Sequence, residues 1–323
     1  MFVKESDLLA AAYGRFAIGA YNIQNMEQVL GVLRGSVAAQ TPVIVQAVPF
    51  ARDYAGPDMV EGLVRSAEKM YPEAVVAMHL DHGDEVSCYH CIDSGFYSSV
   101  MIDASHEPFE ENVVITGRIV ERAHAKGIAV EAELGMVAGL EGHEDADVGG
   151  DAALTDPDEA AEFVRLTGCD SLAVAIGTSH GAYKFKGQPD LRFDRLAQIQ
   201  ERLPGFPLVL HGASSVPREE VERINAAGGA LDPSAQGVPD DEFARAYSLG
   251  VTKVNIHTDA HLVWMRVHRE HLRDHPQNID FRHPGNIYMD ELARLVVHKS
   301  GMLAEWTRFG RPPQSKHPVD HEP

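Results

Sequence analysis

A chain of 323 residues, 44% of them apolar, is long for an ordinary domain, normal for one α/β barrel, and large enough to bury a sizeable core. Its 28 basic and 48 acidic residues give a formal charge of −20, which repels nucleic acid and anionic membrane surfaces. No apolar run approaches the roughly 18 residues of a membrane span, and the opening MFVKESDLLAAAYG is too polar for a signal peptide.

Eight short apolar, β-branched runs succeed one another along the chain, at 16–23, 42–48, 74–80, 98–102, 128–133, 171–176, 207–210 and 252–256. Helical periodicity fills segments between them, as at 110–125 and 157–166. Strands alternating with helices pair in parallel through crossover units, and eight such units close into a (β/α)8 TIM barrel. The expected organisation is one catalytic barrel domain over 1–309 and a Pro-rich, polar, disordered tail over 310–323. Two stretches read as long site loops: the acidic, Gly-rich 139–153 and the Gly/Pro-rich 228–239. Cysteine usage is sparse, with Cys88, Cys91 and Cys169 alone, which suits a reducing, cytoplasmic compartment. Cys88 and Cys91 read as two small residues on a helix, since no second pair completes a four-cysteine metal site.

The residues at the strand ends are more informative. In a barrel of this kind the active site is built from the C-terminal ends of the strands. Here those ends carry Asn22, Asp81-His82, Asp103, Glu131 and Glu133, the His180-Gly181 turn, His211-Gly212 with Ser214, and Asn255 with His257 and Thr258. Purely structural ends would not need such groups, because buried polar atoms are costly without partners. His82, His180 and His211 end three different strands, so they can converge on a catalytic zinc with an open fourth position. Gly83, Gly181 and Gly212 come directly after them and allow close backbone approach. Asp103 and Glu133 end neighbouring strands and could orient those ligands or hold the metal in another position. His79, inside its strand, reads as a packed core histidine.

The set HLDHG (79–83), MIDASH (101–106), EAELG (131–135), AIGTSHG (175–181) with YKFKG (183–187), and LVLHGAS (208–214) resembles the class II, metal-dependent fructose-bisphosphate and tagatose-bisphosphate aldolases. The likeness runs from about Phe2 to about Phe309. It implies Zn2+ on His82, His180 and His211, Asp81 as the catalytic acid/base, and Glu141 as a mobile-loop carboxylate that assists proton transfer. It further implies that Gly181, Lys184, Gly212, Ser214, Asn255 and Thr258 hold dihydroxyacetone phosphate. A homodimer or homotetramer, and a monovalent cation (Na+ or K+) near the phosphate, are the family's habit.

The chemistry explains the residue types. Cleaving a ketose between C3 and C4 leaves negative charge on the three-carbon fragment, which a Lewis-acidic metal can stabilise without a lysine Schiff base. The C4 hydroxyl must lose a proton as the bond breaks, and a carboxylate beside the metal can take it. Three positions depart from the fructose-bisphosphate pattern: Val48 where Ser is usual, His257 where Asp is usual, and His261 where Arg is usual. In the family these face the aldehyde half and its distal phosphate. The expected substrate is fructose 1,6-bisphosphate. Tagatose 1,6-bisphosphate or another ketose 1-phosphate is the alternative, since losing an always-charged Arg weakens phosphate recognition. A barrel metallohydrolase is disfavoured because its usual H-x-H after the first strand is replaced by Tyr21-Asn22. A non-catalytic phosphate-binding barrel would need neither Asp81 nor Glu141.

Overall fold

The computed structural model describes residues 2–135, 137, 154–179 and 191–304, together with the backbone of 185–186. In chain order its elements are α1 (Glu5–Ala12), β1 (Ile18–Asn22), α2 (Met26–Ala39), β2 (Val43–Ala47), α3 (Pro49–Ala55), α4 (Pro57–Met70), β3 (Val76–Gly83), α5 (Glu85–Ser94), β4 (Ser99–Ile102), α6 (Phe109–His124) and β5 (Ala129–Leu134). Next come α7 (Pro157–Thr167), β6 (Ser171–Val174), β7 (Phe185–Lys186), α8 (Phe193–Arg202), β8 (Leu208–Leu210), α9 (Arg218–Ala226), β9 (Ala235–Gln236), α10 (Glu242–Ser248), β10 (Val251–Ile256), α11 (Thr258–Asp274) and α12 (Arg282–Leu303). Eight strands close in the order β1-β10-β8-β6-β5-β4-β3-β2, every neighbour parallel. All eight apolar runs are barrel strands. The short antiparallel pair β7–β9 was not expected; it is too brief to leave a periodic signal, and β9 lies within the loop read at 228–239.

Side-chain alternation divides the barrel into two different interiors. Outward residues such as Val43, Val45, Met78, Leu80, Val100, Ile102, Val130, Leu172 and Val254 join the helices in the main apolar core. Inward residues form a graded column. At its base Ile18, Ala20, Ile44 and Ala77 pack under Leu8, Leu9 and Ala12 of α1. Above them the inward positions become polar, with Gln46, His79, Asp81, Glu131, Glu133, Lys253 and Asn255 all buried. Helix starts use local chemistry: Asn25 accepts from the Gln28 amide at 2.9 Å, and Asp84 from the Ser87 amide at 2.7 Å. Cys88 and Cys91 are buried on α5, as two small helix residues. No helix among the described residues is long and apolar enough to cross a membrane.

Candidate active site

The site lies at the C-terminal mouth of the barrel, where the polar half of the inner column opens. Its centre is Asp81, on β3, only 1% exposed. Three side-chain amides donate to it: Asn22 Nδ2 to Oδ2 at 2.8 Å, Gln46 Nε2 to Oδ2 at 3.0 Å, and Asn255 Nδ2 to Oδ1 at 2.9 Å. Gln46 also donates to Asn22 Oδ1 at 2.8 Å, so β1, β2, β3 and β10 are tied through one carboxylate. Burial alone would raise the Asp81 pKa, but the positive charges of His82, Lys253 and His211 outweigh it and hold the carboxyl far below its ordinary value. Asp81 is therefore in its proton-accepting form. Oδ2 takes two hydrogen bonds and Oδ1 only one, which leaves acceptor capacity on Oδ1.

His82 should, by strand alternation, point away from Asp81. It does not, because its backbone is left-handed, with φ of 45°, and the β3–β4 register shifts between Leu80 and Gly83. That conformation costs about 1–3 kcal/mol at a non-glycine residue, and such strain gathers at functional sites. Gly83 has to be small: a Cβ there would sit 2.5 Å from Leu80 Cδ2 and 2.8 Å from the Met101 carbonyl oxygen. The turn brings the His82 ring to 4.6 Å from that of His211, measured between centroids, in an edge-on arrangement.

Each imidazole is braced from behind by a carboxylate. Asp103 Oδ2 lies 2.7 Å from His82 Nδ1, and Asp103 Oδ1 in turn accepts from the Ser105 hydroxyl at 2.8 Å. Glu131 Oε1 lies 2.8 Å from His211 Nε2. These contacts turn Nε2 of His82 and Nδ1 of His211 toward the centre, which is how histidine ligands are usually oriented. Glu133 Oε2 reaches to 3.3 Å of His211 Nδ1 and 4.0 Å of His82 Nδ1, and makes no hydrogen bond although it is buried. Burial lowers the His211 pKa, but its contacts with Glu131 and Glu133 override this and raise it to about 9. For His82 the same contest, against Asp81 and Asp103, ends well above the ordinary value. Burial and then the charge of Asp103 raise Glu133. Glu131 feels the burial too, but Lys253 and His211 bring it well down.

This donor set fits a divalent cation. The ligand atoms of Asp81, His82 and His211 lie within 4.8 Å of one another, as do those of His82, Asp103 and Glu133. Two imidazoles, buried acidic oxygens and a Glu133 oxygen that makes no hydrogen bond are the borderline-to-hard mixture that zinc accepts.

A second layer lies beneath. Lys253 Nζ donates to Glu131 Oε2 at 2.9 Å and lies 3.4 Å from His79 Nε2; His79 Nδ1 is 2.7 Å from Ser99 Oγ and 3.1 Å from Glu5 Oε2. Ser99 also donates to Glu5. His79 is buried as expected, though within a chain of charges rather than against apolar neighbours. Gln46 and Lys253 escaped the sequence reading, and Glu131 stands in it at a strand end with no role given. Lys253 lies two residues from Asn255, a recognised inward position, so strict period-two counting would have found it.

On the other side of the mouth, His257 and His261 bring their rings to 4.4 Å. Phe50 stacks over His257 at 6.5 Å, and Gln24 Nε2 lies 3.4 Å from His257 Nε2. Thr258 opens α11, directly after the strand that carries Asn255, and Val48 is buried at the end of β2. Gly212 has φ of 59°, and a Cβ on it would meet the Ser179 carbonyl oxygen at 2.6 Å, so the turns after β6 and β8 lie in backbone contact. Ser214 Oγ accepts from the His257 amide at 3.3 Å. Below it the Asp259 carboxylate takes the Ser215 and Val216 amides at 3.0 and 2.9 Å, and Lys299 ties Asp259 and Asp240 together at 3.1 Å each. Glu141, His180, Gly181 and Lys184 lie outside the described residues.

A closed parallel barrel with paired, carboxylate-braced imidazoles at its mouth defines a barrel enzyme that uses a metal. The sequence profile described as Fructose-bisphosphate aldolase class-II matches residues 4–305, and the chain belongs to that family. It is 43% identical over 288 residues to the "Fructose-bisphosphate aldolase" of Giardia intestinalis, covering 88% of this chain and 87% of that protein. The protein of the same name from Thermus caldophilus is 46% identical over 268 residues, 83% of this chain and 86% of the relative. Among solved structures, the YdjI aldolase of Escherichia coli K12 superposes with a TM-score of 0.75 at 30% identity, covering 94% of this chain and 97% of the other. The chain is thus an aldolase of the metal-dependent class, a lyase acting on a sugar phosphate.

Proposed function

We propose that this aldolase cleaves fructose 1,6-bisphosphate reversibly into dihydroxyacetone phosphate and glyceraldehyde 3-phosphate. The observation that carries the reading is the ionised Asp81, fixed by three amides and sharing one centre with His82 and His211. His82 and His211, with His180 from outside the described residues, would hold a zinc ion, with Glu133 as a further donor. When bound, the ion supplies Lewis-acid stabilisation for the negative charge that develops on the three-carbon fragment.

The chain's own residues do the rest. Asp81 Oδ1 takes the proton of the C4 hydroxyl as the C3–C4 bond breaks and C4 becomes an aldehyde. The electron pair of that bond stays on the three-carbon fragment. Protonation at C3 then completes dihydroxyacetone phosphate, a role we give to Glu141 on the family resemblance. Asn22, Gln46 and Asn255 keep the carboxylate aimed and unprotonated. Asp103 and Glu131 set the tautomers of His82 and His211. Gly181, Lys184, Gly212, Ser214, Asn255 and Thr258 bind the phosphate-bearing half. The barrel, taken as residues 1–309, is one catalytic domain. On the same resemblance the working form is a cytoplasmic homodimer or homotetramer, with Na+ or K+ near the phosphate.

One observation favours a second reading of the substrate. The aldehyde end carries an imidazole pair, His257 and His261, under an aromatic rim at Phe50. An imidazole pair is less than fully charged at neutral pH and lacks a bidentate fork, so it suits a weaker anion or another stereoisomer. Tagatose 1,6-bisphosphate, or another ketose 1-phosphate, is that alternative. The test is a panel of fructose 1,6-bisphosphate, tagatose 1,6-bisphosphate and ketose 1-phosphates, each with and without chelator. Chelator-sensitive release of dihydroxyacetone phosphate from fructose 1,6-bisphosphate with the highest kcat/KM supports the main reading. No turnover of it by zinc-loaded protein that cleaves another ketose 1-phosphate replaces it.

A further inference from the structure

Away from the mouth, three histidines gather where the end of α11 meets the start of α12. His271 and His275 are one helical turn apart, and His283 stands in the first turn of α12. Ring centroids lie 5.1 Å apart for His271–His275, 4.9 Å for His271–His283 and 6.1 Å for His275–His283. Two imidazoles on one tetrahedral zinc, with Zn–N near 2.0–2.1 Å, place their centroids about 5 Å apart. The spacing is therefore that of a shared ion, comparable with the 4.6 Å of His82 and His211. His271 stands thirteen residues beyond the first residue of α11, so about 20 Å of helix separate it from the mouth.

His271 is the unusual member. It is 5% exposed, and neither of its ring nitrogens has a hydrogen-bond partner. A buried polar atom left without a hydrogen bond is costly, and coordination is one way to satisfy it. The other two rings are exposed. His283 Nδ1 accepts from Asn278 Nδ2 at 3.1 Å, while Asn278 Oδ1 is committed to the Asp280 amide at 2.8 Å. The nearby cations are engaged: Arg273 with Asp274 at 2.6 Å, Arg282 with Asp280 at 2.8 Å.

We propose that His271, His275 and His283 form a second metal site, open to solvent, for a borderline divalent ion such as zinc held by three imidazoles with water completing the shell. The three rings do not yet offer nitrogens that all lie within 4.8 Å of one another. Closure requires the exposed His275 and His283 rings to rotate onto His271, a side-chain movement of the kind exposed residues make readily. If His283 binds through Nδ1, the ion displaces the Asn278 amide. The bound ion would clip the 276–281 connection and fasten α11 to α12.

The test uses the whole protein already loaded at its catalytic site, dialysed to equilibrium against micromolar free zinc, with total zinc counted per chain. Wild type takes up one ion more than the His275→Asn/His283→Gln double variant, whose substitutions fall on exposed side chains. His283→Gln alone, which leaves α11 unaltered, lowers uptake in the same way. Equal zinc content in wild type and both variants overturns the proposal.

Discussion

Asp81 and His82 are consecutive residues whose functional atoms face one centre, which an unbroken strand forbids. Regular alternation would send one inward and the other into the helical shell. The left-handed backbone of His82 and the register shift beside it put carboxylate and imidazole together. The proposed proton acceptor and the proposed metal ligand are thereby fixed to each other by a single peptide unit, so neither can drift without the other.

That relationship makes Asp81→Asn the most direct test of proton transfer. The amide keeps much of the shape but cannot act as a base. The expected outcome is a kcat lower by about 10²–10⁴-fold, with zinc content and KM little changed. Steady-state kinetics with metal analysis checks it.

In the proposed mechanism the carboxylates behind the imidazoles act on the metal rather than on the substrate. Asp103→Ala and Glu131→Gln should each weaken zinc binding by about 10–100-fold, read by competition with a fluorescent chelator. Activity lost at low zinc should return when zinc is raised. If either variant holds zinc as tightly as wild type, that carboxylate does not brace its imidazole in the working protein.

Gly212 is where two active-site turns touch. Gly212→Ala adds a Cβ 2.6 Å from the Ser179 carbonyl oxygen at φ of 59°. The expected cost is about 1–3 kcal/mol of strain, with KM raised as the two turns are pushed apart. Urea unfolding and the KM for the sugar phosphate are the measurements.

The brace under the loop after β8 should give part of the protein's acid sensitivity. Asp240 meets Ser215 at 2.6 Å, His298 at 2.8 Å and Lys299 at 3.1 Å. Burial raises its pKa, but Lys299 and Ser215 dominate and lower it to about 2 from 3.8. A depressed carboxyl pKa stabilises the folded state above the unfolded value of about 3.8, and that contribution disappears as pH falls through about 2. Asp240→Asn should therefore cost about 1 kcal/mol at pH 7, after solvent screening. The difference from wild type should shrink between pH 4 and pH 2. Denaturant titrations across that range would show it.

The barrel was legible in the sequence because its signal is local and repeated. Eight β-branched runs spaced by helical periods admit few other arrangements, and a polar residue at the end of most of them marks one rim as the chemical one. His82, His211, Asp81 and Asn255 could be singled out on that ground, and combined motifs named the family. What the chain order could not contain was decided by closure. Bringing β1, β2, β3 and β10 side by side is what sets three amides on Asp81. Closure also makes Lys253 and His79, 174 residues apart, neighbours in a buried charge network. The φ of 45° at His82 came from packing as well, since no local motif distinguishes it from a regular strand residue. The His271, His275 and His283 cluster depends on α12 folding back along α11, a contact between helices that periodicity describes one at a time. Sequence fixes which groups are available and roughly where along each element; the low dielectric and close packing of the folded interior fix which of them meet, and so which carry charge.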